Sequence, residues 1–396
     1  MKIQIPFPIS FWCGVPAHFV ARERYKEIAE AGFTIAQVSG TREDIVRQLN
    51  WCEENNITGM VLDSRVHAGM TASPGWRDTV REVVLDYSWH PALWGYYLTD
   101  EPPASQFGTL AEITREFENV DTAHPTYINL FPNYANEEQL GTATYEEHVQ
   151  RYLDIVQPPL VSYDHYAIQE DGNDWPIFYT NLSVVREKSL KAGKDFWQIV
   201  LSLAFHSCRN PSEADLRWQV WMTLAYGGKG ISYFTYWTVT PENFRDAIID
   251  EFGYQTSHYP MVRRINRQIQ NIGADLLRLT SLGVWHTPVP FKGFLPKEDY
   301  VPRFVVGSSD VPISVGEFMD GDVPALIVVN RSLERSVAAE IRVKPEFAAY
   351  REANRTSGGV SGPVKLSRSD AFASFHVWLA PGDGALLYLD REGITS

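Results

Sequence analysis

Cysteine is scarce in this chain. Its 396 residues include three, Cys13, Cys52 and Cys208, an odd number at wide spacing with no CxxC. That count argues against a disulfide framework and a thiolate metal site, so the three are expected to be small buried hydrophobes. Phosphate-cradling loops are missing too. Neither GxGxxG nor GxxxxGK followed by Ser or Thr occurs, so no cofactor is expected. There is no GxSxG nucleophile elbow, which weakens acyl transfer. There is no HExxH or His-x-His, so no metal site is expected. Positive charge is short: 35 Lys and Arg stand against 49 Asp and Glu, for a net charge of −14. Polyanionic nucleic acid and anionic membrane surfaces are therefore poor partners. No apolar run reaches the roughly 18 residues of a membrane helix. The opening MKIQIPFPISFWCG has no signal-peptide core. The direct expectation is a cytoplasmic protein, or a secreted or periplasmic one if the sequence is a truncated piece. No feature sets the oligomeric state.

What the chain has in quantity is aromatic side chains: 13%, including 12 Trp, within an otherwise ordinary globular composition of 44% hydrophobic and 21% charged residues. From residue 1 to about 280, short β-branched and aromatic runs alternate eight times with longer amphipathic stretches. The strands read 3–12, 33–39, 57–63, 92–101, 126–131, 160–168, 195–204 and 231–237, each followed by a helical pattern. Thr41 and Ser212 sit where N-caps belong. Eight such units in about 280 residues predict a (β/α)8 barrel, whose usual size is about 250 residues. A doubly wound open sheet is the competing layout, and it lacks its glycine-rich turn here. After residue 281 the helical period stops. Runs such as ISVGEFM, ALIVVNRS and GALLYLD are separated by the turn signals DGD, SGGVSG and APGDG. That pattern predicts a small antiparallel β-sandwich. The expected domains are thus a catalytic barrel, 1–281, and a sandwich, 282–396.

Barrel active sites lie at the C-terminal ends of the strands. Those ends carry Trp12, Asp63, Asp100-Glu101, Asn129, Tyr163-Asp164-His165-Tyr166, His206 and Tyr236-Trp237. Carboxylates, aromatics and amides together fit glycoside hydrolysis. That chemistry needs two carboxyl groups, one held protonated as the acid, and gains from an aromatic wall under the sugar ring. Glu101 is the best candidate acid. It stands at a strand end before two prolines, Asp100 raises its pKa by like-charge repulsion, and Trp94, Tyr96 or Tyr97 can desolvate it.

The same residues carry a resemblance. GYYLTDEPP resembles the Asn-Glu-Pro acid/base motif of clan A glycoside hydrolases, with Asp100 in place of Asn. YFTYW resembles the Trp-bearing eighth strand of that clan, and LRWQVWMTLAYGGKGISYFTYWT resembles the corresponding region of β-galactosidase-like and agarase-like barrels. The resemblance implies a barrel glycosidase acting on an oligo- or polysaccharide. It also implies a nucleophilic Glu at the end of strand 7, where FWQIVLSLAF offers no carboxylate. Glu213, further on, reads as a helix cap.

The second carboxylate is therefore expected from strand 6: Asp164, with Tyr163 and Tyr166 placed to hydrogen-bond it and keep it ionised. Glu170 and Asp171 are the fallbacks. Trp237 is the expected sugar platform, with Trp12, Trp197 and Tyr236 as lesser versions and Asn129 as a donor to a hydroxyl. Asp63, Asp100, Tyr163, His165, Tyr166 and His206 complete the expected substrate contacts. Trp218, Trp221 and Tyr226 recur at helical spacing and are expected to pack the helix layer. Three other readings stay open. One is a substrate-assisted, hexosaminidase-type mechanism using the Asp100-Glu101 pair, another a sugar-binding barrel without catalysis, and the third a metal-dependent hydrolase.

Overall fold

The computed structural model describes residues 3–171, 176–240, 243–289 and 300–391. Eight parallel strands form one sheet: β1 Ile9–Phe11, β2 Ile35–Ser39, β3 Thr58–Leu62, β4 Leu93–Asp100, β5 Thr126–Leu130, β6 Leu160–Asp164, β7 Asp195–Leu201 and β8 Gly230–Phe234. Neighbours in sequence are neighbours in the sheet, and β1 pairs with β8. The ring closes between β1 and β2 at Thr34, whose N–H donates to the Ile9 carbonyl (2.9 Å) and whose hydroxyl accepts from the Ile9 N–H (2.8 Å). All eight expected strands are present, in a (β/α)8 barrel. β2 ends where expected, β1, β3, β4 and β5 stop one residue short, and β6, β7 and β8 stop three or four residues short.

The helices follow in alternation: α1 Arg22–Glu30, α2 Arg42–Glu54, α3 Trp76–Tyr87, α4 Phe107–Val120, α5 Glu137–Leu140, α6 Tyr145–Ile155, α7 Pro176–Lys191, α8 Glu213–Ala225, α9 His258–Asn271 and α10 Gly273–Arg278. Thr41 and Ser212 cap α2 and α8 through full capping boxes with Asp44 and Asp215. Glu213 lies in the first turn of α8 and pairs with Arg217 and Arg264. Inward side chains at the lower end of the barrel make an apolar plug of Ile35, Met60, Tyr127, Leu160 and Trp197, with Trp94, Trp12 and Tyr97 against it. Trp197 is thus core and not a ligand platform.

Two antiparallel sheets follow. β9 Thr280–Thr287, β11 Ile313–Asp320, β12 Val323–Asn330, β14 Phe347–Glu352, β15 Val364–Lys365 and β18 Gly384–Arg391 form the larger sheet. β10 Val305–Ser308, β13 Val337–Val343, β16 Ser367–Arg368 and β17 Ala373–Leu379 form the smaller. Strand alternation divides β12 between two cores. Leu326 and Val328 face the smaller sheet, while Ala325, Ile327 and Val329 join the barrel's helix layer. Among the described residues, no helix is long and apolar enough to cross a membrane.

Candidate active site

The period-2 alternation of β5 and β6 decides which residues meet at the barrel mouth. On β6, Ser162 and Asp164 point inward, and Tyr166 beyond the strand continues that row. Tyr163 and His165 point outward into the helices. Register places Asp100 of β4 opposite Asn129 of β5, and Asn129 opposite Ser162 of β6. Three adjacent strands therefore present one polar layer.

Asn129 organises that layer. Its buried amide nitrogen donates to Asp100 Oδ1 (3.0 Å) and to Asp164 Oδ1 (2.9 Å). Its carbonyl oxygen accepts from the Ser162 hydroxyl (3.1 Å), which pairs with the Tyr127 hydroxyl (2.6 Å). The Tyr127 hydroxyl in turn accepts from Trp12. This chain fixes the amide with its NH2 toward the carboxylates. Both amide protons are engaged, so Asn129 is not the donor to a sugar hydroxyl that the sequence led us to expect.

Glu101 stands just past the end of β4 in the left-handed region, at φ +43°, with its N–H donating to the Asn129 carbonyl (2.8 Å). A non-glycine residue in that conformation costs on the order of 1 kcal/mol and is held by its surroundings. Its carboxyl is within hydrogen-bond reach of Asp164. Burial first, and then the charge of Asp100, push Glu101 up to about 7. Asp164 is almost fully buried. Burial, followed by the charges of Glu101 and Asp100, raises its pKa well above the carboxylate range. Asp100 is also raised by burial, an effect the Asn129 amide partly offsets. Yet the Asp100 residue is exposed. A group surrounded by protein and still open to water stands in a recess.

Glu101 and Asp164 lie within hydrogen-bond reach of each other, so their protonation is linked. The expectation that Tyr163 and Tyr166 keep Asp164 ionised is corrected. Tyr163 is fully buried on the helix side, and the hydrogen bonds to Asp164 come from Asn129 and Glu101.

Several other expected contacts lie away from the mouth. His165 is buried between Phe178 and Tyr134, with Nδ1 at 2.9 Å from Asn181 Oδ1, and burial lowers it to about 4. β8 ends at Phe234, so Tyr236 and Trp237 belong to the segment beyond it. Tyr236 is fully buried, stacked on Phe11 (4.6 Å) and edge-on to Phe33. Trp237 is 2% exposed, between Phe19 and the Arg24 guanidinium. Neither ring offers a face to a ligand. Asp63 is locked by Arg65 (3.0 and 2.8 Å) and the Tyr87 hydroxyl (2.7 Å). Burial opposes its ionisation, but these donors outweigh it and lower its pKa. His206 is exposed at φ +48° in the loop after β7, edge-on to Phe205.

The mouth does hold Trp12, half-buried and edge-on to Tyr97 (5.7 Å), and Tyr166. Tyr166 is stacked on Phe234 (4.9 Å, 29°) and edge-on to Phe205. Phe244 closes this cluster against Phe205 and Phe234. The charges of Asp164, Asp100 and Glu101 all act on the Tyr166 phenol. Those of Asp164 and Glu101 act on Tyr134. The sequence reading missed Phe205, Phe234, Phe244 and Tyr134. Phe234 lies within the YFTYW run but is hidden by carrying that strand on to Trp237.

No protein-family model and no curated protein matches the chain. Its similarity is to solved structures. A β-galactosidase from the psychrophilic Marinomonas ef1 aligns at TM-score 0.52 and 9% identity, over 69% of this chain and 61% of that one. The chain thus spans about three fifths of the length of that enzyme. A GH27 β-L-arabinopyranosidase from Geobacillus stearothermophilus aligns at TM-score 0.51 and 10% identity, over 99% of this chain and 98% of the other. At these identities the likeness concerns the fold alone, a parallel barrel.

Proposed function

We propose that this protein is a glycoside hydrolase acting on O-glycosidic bonds of a neutral oligo- or polysaccharide. One observation carries the reading. Three carboxyl groups meet at the barrel mouth around one amide, and the most accessible pair differs in character. Glu101 is held protonated toward neutrality, while Asp100 stands open in the recess. Separating the pKa values of two neighbouring carboxyls is how an acid and its partner are made.

In this reading Glu101 gives its proton to the glycosidic oxygen as the bond to the anomeric carbon breaks. Asp164, its buried hydrogen-bond partner, shares that proton before the step and stabilises the charge left behind after it. Asp100 meets the anomeric carbon, either directly or through a water. Asp164 is a poor nucleophile in this arrangement because it is buried and already bonded to Glu101 and Asn129. Tyr166, Phe234 and Trp12 supply apolar surface for a sugar ring, which the fold-level likeness to sugar-cleaving barrels supports.

The test is a panel of aryl glycosides with wild type, Glu101→Gln, Asp100→Asn and Asp164→Asn. Glu101→Gln and Asp100→Asn are expected to lose about 10³-fold or more in kcat, since each removes a group acting on the reacting atoms. Asp164→Asn should lose about tenfold. Hydrolysis of no glycoside by wild type rejects the reading. Full activity in Asp100→Asn, with loss in Asp164→Asn, moves the second carboxylate role to Asp164.

A further inference from the structure

A cavity of about 670 Å³ opens at the ends of β2 and β3, lined by none of Asp100, Glu101 and Asp164. Its lining comes from Ser39 and Thr41, from Leu62 to Ser64 and Val66, and from Tyr97. That volume lies within the range of about 300–1,000 Å³ typical of small-molecule sites. Tyr97 ties it to the proposed catalytic layer. The ring packs edge-on to Trp12, and after burial the charge of Asp100 is the next influence on its phenol.

The lining chemistry narrows the ligand. Two carboxylates reach the cavity, Asp44 and Asp63, and both are already engaged. Asp44 caps α2 through Thr41 and pairs with Arg47. Asp63 is held by Arg65 and Tyr87. An anion is therefore repelled, and a cation finds no open carboxylate. The exposed hydroxyls of Ser39 and Ser64 make no hydrogen bond to another described residue. Leu62, Val66 and Tyr97 add apolar lining. Free hydroxyls beside apolar lining, without available charge, suit a neutral polyhydroxylated ring with one apolar face.

We infer that this cavity is a second sugar subsite, so that the natural substrate is an oligo- or polysaccharide whose chain runs from the carboxylates across Tyr97 to the β2–β3 side. The inference rests on the glycosidase reading for its catalytic context, but its own test is binding. Ser39 and Ser64 are exposed, so replacing them spares the core. The double substitution Ser39→Met/Ser64→Met fills the cavity and removes both hydroxyls, and Ser39→Ala/Ser64→Ala removes the hydroxyls alone.

Each pair is built into Glu101→Gln protein and titrated calorimetrically with β-linked gluco-, xylo- and galacto-oligosaccharides of four to six units. Glu101→Gln alone should bind at least one of them. The Met pair should weaken that binding about tenfold and the Ala pair about threefold, as expected for lost hydrogen bonds and lost room. Unchanged affinity in the Met pair overturns the subsite, and so does the absence of any binding by Glu101→Gln. With Glu101 restored, the Met pair should cut kcat/KM about tenfold on the oligosaccharide. It should leave an aryl monoglycoside within twofold, and equal losses on both substrates also overturn the subsite. Binding that obeys these expectations in a protein that hydrolyses no glycoside upholds the subsite and rejects only the catalytic reading.

Discussion

A glutamate held at about 7 inside a cluster of carboxyls works against the fold above neutrality. The Glu101 carboxyl binds its proton more tightly in the folded chain than the ordinary 4.5. Stability is thus complete below about pH 4.5 and declines as pH rises toward 7. Glutamine cannot ionise, so Glu101→Gln should be more stable than wild type above pH 7 and equal to it near pH 4.5. After discounting for partial exposure and for the proton shared with Asp164, the gain is about 1–2 kcal/mol. Thermal melts at pH 8 and pH 4.5 check this, and an equal Tm difference at both rejects it. Catalysis has the same sign. Activity that needs protonated Glu101 falls through an alkaline limb near pH 7. Glu101→Gln removes the ionising group, so the residual rate of that variant should lack the alkaline limb. A limb that persists near pH 7 in its pH–rate profile assigns the ionisation elsewhere.

At the scale of elements, β-strand alternation made much of the site legible, and strand ends made the rest illegible. Asp100, Glu101 and Asp164 were readable because each lies at or beside the end of a hydrophobic run. Asn129 was readable as a site residue but not in its role, because the partners of an amide depend on the register of three strands. Tyr163 and Tyr166 look alike in SYDHY, yet one row faces the helices and the other the mouth. A single residue of uncertainty in strand position interchanges them. In the same way, ending β8 at Phe234 and not Trp237 changes the ring that is presented. Paired substitutions on this segment separate the two rows. The buried Tyr163 hydroxyl has no hydrogen-bond partner among the described residues, so Tyr163→Phe should leave activity unchanged and stability equal or slightly higher. Tyr166→Ala removes a ring stacked on Phe234 and should raise KM about tenfold. Steady-state kinetics on both variants decide it, and a loss in Tyr163→Phe as large as in Tyr166→Ala contradicts this division of the strand.

At the scale of the molecule, the barrel and the β-sandwich meet on α8, and that contact explains a helix whose sequence shows no polar face. Trp218 packs on Phe178 on the barrel side, while Trp221 lies under Gly384 and the Arg355 guanidinium of the sandwich. Arg217 donates to the Pro381 carbonyl (2.8 Å), and the Tyr226 hydroxyl meets His286 Nε2 (2.9 Å). Its polar residues Glu213, Asp215, Arg217 and Gln219 gather on no one face because almost every side of the helix is buried, each polar group meeting a partner. The contact is tight at the backbone. A Cβ added at Gly316 of β11 comes within 2.2 Å of the Ala225 carbonyl oxygen at the end of α8. Backbone cannot move aside as a flexible side chain does, so Gly316→Ala forces the two parts apart at an overpacking cost of about 1–3 kcal/mol. If the parts are mutually dependent, that cost lowers one shared transition. Ten of the twelve Trp precede residue 281, so tryptophan fluorescence reports the barrel. Hydrogen exchange at Ile341 and Phe375, in the core between the two sheets, reports the sandwich. In Gly316→Ala both should shift together by several degrees. Separate transitions, with the barrel melting where it does in wild type, show that the sandwich is a passive appendage and that α8 keeps its place without it.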